Sequence, residues 1–502
     1  MKKLIIYTLS VFALFSINTS CSDDFLDAKP TEVLTAEQIK EASENNPEAI
    51  AGSMKGIYTL MFKPGTGGYS NDDDFGQKGY DIYTDMLSAD MALSKSAYGW
   101  YLGDITQFQG TIDFTNKANY KIWRYYYRII RSANSVIDAL GGNDIVPELD
   151  ASKHVLGQAK TMRAYSYFYL SQLFQESYTP NNLILPLYTD STAPNQPKSM
   201  AKDVYDLIIK DLTDAISLLD TFDRFSKNEV NKSIAQAFLA YTYSAMGGTE
   251  NYSKAKDLTE TLINSGNFNL MSEDEIAYTG TGDLVGGFND VNTSGWMWGV
   301  DITTNNDLND ASWWSQMDVF TYGYQFAGDK KTIDAGLYAK IPTDDARKNQ
   351  FEPLTSSEDY LTPLNKFYAS EREIGGQRAV TSDYVYMRIA EMYLLHAETA
   401  AKSGDEAAAK TSLKTLLDLR IPDTSYIDTL SGQSLQDEIY LQTRIELWGE
   451  GKSYLAMKRN KATIVRGENH LSNVGTPISY DDDRLTFEIP QSEIQNNPFI
   501  SK

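Results

Sequence analysis

The sequence predicts a mostly α-helical protein. Tetratricopeptide-like helical hairpins form the scaffold, and a long irregular, loop-rich insertion interrupts it. Three observations carry this. First, residues 383–420 read as two amphipathic helices joined at Ser403-Gly404-Asp405. In the first, Tyr384, Met387, Ile389, Ala390, Tyr393, Leu394 and Ala397 recur at helical spacing and make one broad apolar face. Gly404 suits a left-handed helix end and Asp405 caps the next helix, whose Ala408, Leu413, Leu416, Leu417 and Leu419 precede Pro422. Ala397, Gly404 and Ala408 are small where the two helices of a tetratricopeptide hairpin approach each other. Second, the same periodicity returns in several upstream stretches, which supply the companions that one hairpin needs to bury its face. Third, from Met271 to about residue 359 helical periodicity is lost and Gly, Asn, Asp, Thr and Trp take over. Long ordered segments of this kind are usually functional.

In chain order, residues 1–20 read as a signal peptide. Lys2 and Lys3 precede an apolar run from Leu4 to Ile17, too short to span a bilayer stably. Cys21, the single cysteine, follows directly, so it is read as a lipid acceptor after cleavage. An unmodified thiol left by ordinary cleavage is the alternative. Asn18-Thr19-Ser20 is a loose lipobox, with Ser20 its best match. Residues 21–35, which include Asp23, Asp24 and Asp27, form an acidic tether that an anionic membrane repels. No later stretch is long and apolar enough for a membrane span, and a lipid anchor needs none.

Residues 36–270 read as the helical N-terminal part. Ile39, Ala42, Ile50, Met54 and Ile57 mark a helix or two before a Gly- and Asp-rich loop over 64–79. A short helix is expected over 81–93, and an exposed turn at Tyr98-Gly99-Trp100-Tyr101. Helices follow over 120–140, 154–174 and 203–219, the last two separated by a Pro-containing connector over 181–200. Residues 233–245 and 253–265 form a second hairpin, and residues 271–382 are the insertion. Residues 383–502 hold the C-terminal hairpins, with helix again over 435–457 and an extended tail.

Composition narrows the function. The net charge of −23 and the lack of clustered Lys and Arg exclude nucleic acid as a partner. Gly451-Lys452-Ser453 is no phosphate loop, because Glu446 stands where the first Gly is required. Gly280-Thr281-Gly282 lacks the third Gly of a dinucleotide site. His154, His396 and His470 are scattered, so neither metal nor cofactor is expected, and His396 reads as structural. Asp72-Asp73-Asp74 and Asp481-Asp482-Asp483 offer hard oxygen ligands for calcium, but acidic turns are more often solvated and are read so here. Acidic pairs are plentiful, yet none stands in a recognisable catalytic context, so no enzyme is expected.

Five motifs in order give the chain a family resemblance. They are Arg163-Ala164-Tyr165-Ser166-Tyr167-Phe168; Ile208, Asp211-Leu212, Ala215 and Leu219; and Met387-Arg388-Ile389-Ala390-Glu391 with Ala397-Glu398. The fourth is Arg444-Ile445-Glu446-Leu447-Trp448-Gly449-Glu450-Gly451-Lys452, and the fifth Ile489-Pro490-Gln491-Ser492-Glu493 with Asn497-Pro498. Behind a lipoprotein signal, these resemble the SusD/RagB family of nutrient-binding outer-membrane lipoproteins. Lys452 replaces a usual Arg and Thr443 a usual Glu. The resemblance implies an irregular half that carries the ligand site. It also implies a SusC-type TonB-dependent transporter as partner, with this chain as its lid. The acidic tether resembles the signal that sends lipoproteins to the outer face of the outer membrane. The implied cargo is oligosaccharide or polysaccharide, with oligopeptide as the alternative and a surface glycoside hydrolase behind both.

A sugar presents apolar C–H faces and rings of hydroxyls, so its site needs exposed aromatic faces with polar groups beside them. The candidate platforms are Tyr98, Trp100 and Tyr101 early on, and Trp296, Trp298, Trp313, Trp314, Tyr322 and Tyr324 in the insertion. Asp301, Asn305, Asn306, Asp307 and Asp310 are the polar candidates among them. For each single ring, burial competes with ligand contact; two or three are expected to line a site. Trp123 and Trp448 lie in helical patterns and are expected in the core.

Overall fold

The computed structural model describes residues 37–40, 48–69, 72–280 and 286–501. The expected signal peptide, Cys21 and the acidic tether lie outside the described residues. The fold class is the predicted one, mostly α-helical with stacked hairpins. The N-terminal helices are α1 (Glu48–Leu60), α2 (Gln77–Leu87), α3 (Lys117–Ala139), α4 (Asp150–Leu173) and α5 (Ala201–Leu218). They lead into a hairpin of α6 (Lys232–Met246) and α7 (Thr249–Asn264). Asn116 and Asn231 cap α3 and α6 by accepting from the backbone N–H groups of Ala118 and Ile234. After the insertion come α10 (Ile389–Ser403) and α11 (Glu406–Leu417), preceded by two short helices, α8 (Trp313–Met317) and α9 (Tyr324–Ala327). Gly404 takes φ 94° between α10 and α11, and Asp405 accepts from the Ala408 N–H at 3.2 Å.

Successive helices pack side by side, α3 on α4, α4 on α5, α5 on α6 and α6 on α7. The stack then continues from α7 directly to α10 and on to α11. Residues 265–388 are therefore an excursion that leaves the stack and returns to the next place in it. One large hydrophobic cluster runs from α1–α4 through the excursion to Phe487, and a second lies between α10, α11 and α12 (Gly432–Glu446).

Buried ion pairs join the motifs. Arg163 on α4 reaches Asp211 on α5 with Nε–Oδ2 and Nη2–Oδ1 distances of 2.7 Å each, a bidentate fork. Arg388 donates to Glu446 and Glu450, which also take Arg420 and Lys366. All these groups are almost wholly buried, so losing one partner strands a charge in low dielectric.

The excursion is tied down by small antiparallel sheets. β1 (Met91–Lys95) pairs with β5 (Lys330–Ile333), and β4 (Trp296–Val300) pairs with β6 (Tyr384–Arg388). β2 (Leu183–Pro186) with β3 (Lys198–Met200), and β7 (Thr463–Val465) with β8 (Pro477–Ser479), are short hairpin ladders. Four expectations are corrected by these elements. The stretch over 81–93 is not one helix, because it ends at Leu87 and Met91 begins β1. Residues 384–388 are strand, not the first turns of α10; every one of the five is buried, which imitates a helical apolar run. The expected helix over 435–457 is broken between α12 and α13 (Ser453–Arg459) by Gly449 and Gly451, at φ 79° and 73°. A Cβ at Gly451 would lie 2.3 Å from Asp81 Oδ1, so glycine is required by space as well as conformation. The tail is not wholly extended, since Gln491–Asn496 is a short helix.

Candidate ligand-binding site

The β1–β5 ladder builds the site. Its register pairs Lys95 with Lys330, so the chain leaving β1 faces the chain entering β5. Tyr98 and Trp100 lie on the first of these, and Tyr324 opens α9 on the second. Asp329 fastens the two, accepting from the Ala97 and Tyr98 N–H groups at 2.5 and 2.8 Å. The Tyr324 ring meets Tyr98 and Trp100 edge-to-face, both at 5.6 Å between centroids. Tyr98 is 63 % exposed, and Trp100 and Tyr324 are half-buried, so the cluster leaves ring surface open to solvent. At Tyr101 the backbone turns left-handed, φ 64°, and that ring is buried against Tyr83 instead.

Asp72 supplies the polar edge. The Tyr324 hydroxyl donates to its carboxylate, and Gln316 Nε2 donates to its main-chain carbonyl at 2.8 Å. Burial raises the Asp72 carboxyl above its ordinary range; the Tyr324 hydroxyl opposes this and the nearby Asp310 charge adds to it. Beneath, the Lys331 ammonium is pushed down to about 7 by burial, against the pull of Asp329. Tyr322, just before α9, and Phe326 on it sit 6.1 Å apart, partly exposed, with the Arg378 guanidinium 4.2 Å over the Tyr322 ring. A sugar face stacked on Tyr98 or on Trp100 would thus lie beside the Tyr324 ring and the Asp72 carboxylate that the Tyr324 hydroxyl holds.

The remaining expected platform residues do not join this cluster. Trp296, Trp298, Trp313 and Trp314 are at most 2 % exposed, as is Tyr101. The strand β4 is buried along its whole length, so both faces of Trp296-Met297-Trp298 are core. Trp298 packs against Tyr165, Phe238 and Tyr386, and Trp313 against Trp314, Phe367 and Tyr384. Asp301 and Asn305 are exposed on the turn after β4, and no hydrogen bond or ring contact links either to the three rings among the described residues. Trp123 and Trp448 are core, and His396 is buried with Nδ1 2.7 Å from Ser412 Oγ.

Asp72 was legible only as one of three acidic residues expected to be solvated. The expectation fails for its neighbours. Asp73 is ion-paired with Lys121 at 2.5 Å and bonded by Tyr83, while Asp74 accepts from the Gly67 and Tyr69 N–H groups at 2.8 and 3.0 Å. Both are buried, because they organise the loop that presents Asp72. Arg378 carried no local signal; only the fold lays it over Tyr322.

A family model described as "Starch-binding associating with outer membrane" matches residues 24–243, and a second, described as "SusD family", matches residues 301–502. The chain belongs to the SusD/RagB family. A SusD-like protein of Formosa agariphila is 21 % identical over 210 residues, which cover 41 % of this chain and 35 % of that relative's length. The crystal structure of a SusD-like carbohydrate binding protein from Bacteroides vulgatus is 24 % identical, with a TM-score of 0.71 over 90 % of this chain and 96 % of its own. A SusD superfamily structure from Bacteroides thetaiotaomicron is 23 % identical with a TM-score of 0.73, covering 93 % and 99 %. These likenesses establish the shared fold. The SusD/RagB motifs turn out to be scaffold: their Arg163, Asp211, Arg388, Glu446 and Glu450 are the buried ion pairs described above. Among the described residues, no helix is long and apolar enough to cross a membrane.

Proposed function

We propose that this chain is a glycan-binding lid of the outer membrane, lipidated at Cys21 and facing the cell exterior. It takes up oligosaccharide on Tyr98, Trp100 and Tyr324, with Asp72 as hydrogen-bond acceptor, and passes it to a SusC-type TonB-dependent transporter without chemistry. The single observation that carries this is the cluster itself: three exposed or half-exposed rings from two chain segments, edged by a carboxylate. Aromatic faces cover the C–H face of a sugar ring, and the carboxylate takes a hydroxyl proton. The family description and the carbohydrate-binding relative support the same reading. The acidic Asp72 and Asp310 beside the rings favour a neutral sugar there, since an anionic one would meet like charge.

The test is a binding screen of the soluble form beginning at Ser22 against neutral polysaccharides, their oligosaccharides and mixed oligopeptides. The reading expects one neutral glycan class to bind. Binding of oligopeptides alone would transfer the lid to peptide cargo, and turnover of a glycan would replace it with an enzyme.

A further inference from the structure

A second cleft lies away from the aromatic platform, between the α5–α6 connection and the start of the excursion. Its volume is about 580 Å³, within the range of ligand-binding clefts. Arg224 and Lys227 line it, together with Phe225, Phe268, Asn267 and Asn269.

Two features set it apart from an ordinary surface dent. Phe225 is 99 % exposed at the tip of the turn, a ring with no apolar cover in water. The turn that holds it out is built: the Glu229 carboxylate accepts from the Phe225 and Ser226 N–H groups at 2.9 and 3.4 Å. The second feature is the state of the two cations. Arg224 donates to the carbonyls of Met297 and Glu229 at 2.7 and 3.2 Å, and Lys227 to that of Thr293 at 2.8 Å. Neither has an ion-pair partner among the described residues, in a chain whose acidic residues number 68 against 45 basic ones. Burial lowers the basicity of both, and Arg224 lowers that of Lys227 further by repulsion; Glu229 and Asp290 only partly offset this. Asp223 is the one carboxylate in the lining, and it is exposed. An anion placed between the two cations would relieve that repulsion.

We infer that this cleft is a second, independent subsite for an acidic sugar residue, whose carboxylate or sulfate group meets Arg224 and Lys227 while its ring lies against Phe225. The exposed Asn267 and Asn269 amides supply hydroxyl partners at the rim. The anion half of this inference stands on the cleft alone; the saccharide half rests on the proposed glycan function.

The experiment titrates the soluble chain from Ser22 with tetragalacturonate, maltotetraose and sodium sulfate at low and high salt. Wild type is compared with Phe225→Ala, Lys227→Gln and Trp100→Ala/Tyr324→Ala. Phe225 is almost wholly exposed, so its removal leaves the fold intact and keeps the test decisive. The inference expects tetragalacturonate to bind, to weaken about tenfold in Phe225→Ala and in Lys227→Gln, and to weaken with salt. It expects the Trp100→Ala/Tyr324→Ala variant to bind it as wild type does. No binding of tetragalacturonate, or binding indifferent to both cleft variants, overturns the inference while leaving the platform untouched. Sulfate binding as tightly as the oligosaccharide reduces the cleft to a simple anion site, which also overturns it. Loss of acidic-sugar binding only in the Trp100→Ala/Tyr324→Ala variant does the same.

Discussion

Trp100 and Trp298 are the same residue type with opposite fates. Trp100 is half-exposed against Tyr324, whereas Trp298 is 1 % exposed, walled by Tyr165, Phe238 and Tyr386, and donates Nε1–H to the Asn228 carbonyl at 3.0 Å. Trp298→Ala is therefore expected to cost about 3–5 kcal/mol of stability, read by urea unfolding, as a large buried ring leaves a cavity. Trp100→Ala is expected to shift stability by less than about 1 kcal/mol and to weaken glycan binding about tenfold or more. A large loss of stability in Trp100→Ala would show that the ring is core. Neither fate was legible locally. Trp296-Met297-Trp298, flanked by Gly295 and Gly299, and Tyr98-Gly99-Trp100 are both aromatic stretches with glycine at hand, and only the pairing of β4 with β6 decides that the first is buried on both faces.

The helices themselves were largely legible, because most carry apolar residues at helical spacing and Asp405 stands as a cap where the pattern of α11 begins. The misread elements are those where burial on every side erased the difference between strand and helix, as at Tyr384–Arg388, or where glycines broke a continuous apolar run, as at Gly449 and Gly451. Helix-to-helix locks came through as family motifs without showing what they do. Arg163 and Asp211 clamp α4 to α5, so Arg163→Met should destabilise by about 3–5 kcal/mol, and the double variant with Asp211→Leu should recover part of that loss. No recovery in the double variant would mean that the packing of Arg163, rather than its charge, matters. The α10–α13 junction gives a pH signature. Burial alone would raise the Glu398 carboxyl, but Arg459 and Lys402 outweigh it and hold it down to about 2. A carboxyl depressed in the folded state stabilises fully above its unfolded value of about 4.3 and loses that contribution as pH falls toward 2. Thermal midpoints should therefore drop between about pH 5 and pH 2, and Glu398→Gln should show a shallower drop. An identical slope in the variant would remove Glu398 from the account.

At the scale of the whole molecule, the scaffold continues from α7 to α10 as if the intervening excursion were absent. The excursion is thereby free to carry a site without bearing the stack. Yet the platform is not the excursion's alone. Asp72 and Trp100 come from the N-terminal part and Tyr324 from the excursion, brought together by a ladder between strands more than two hundred residues apart. No spacing in the sequence encodes that meeting, which is why the acidic loop read as solvent-facing and the buried tryptophans as platforms. The measurement that tests the central claim most directly is calorimetric titration of the bound neutral glycan into wild type and into Trp100→Ala/Tyr324→Ala, with melting curves for both. The account predicts matching melting curves and an affinity lower by a factor of about a hundred in the variant. Equal affinities in two equally folded proteins would contradict it and place the glycan elsewhere on the molecule.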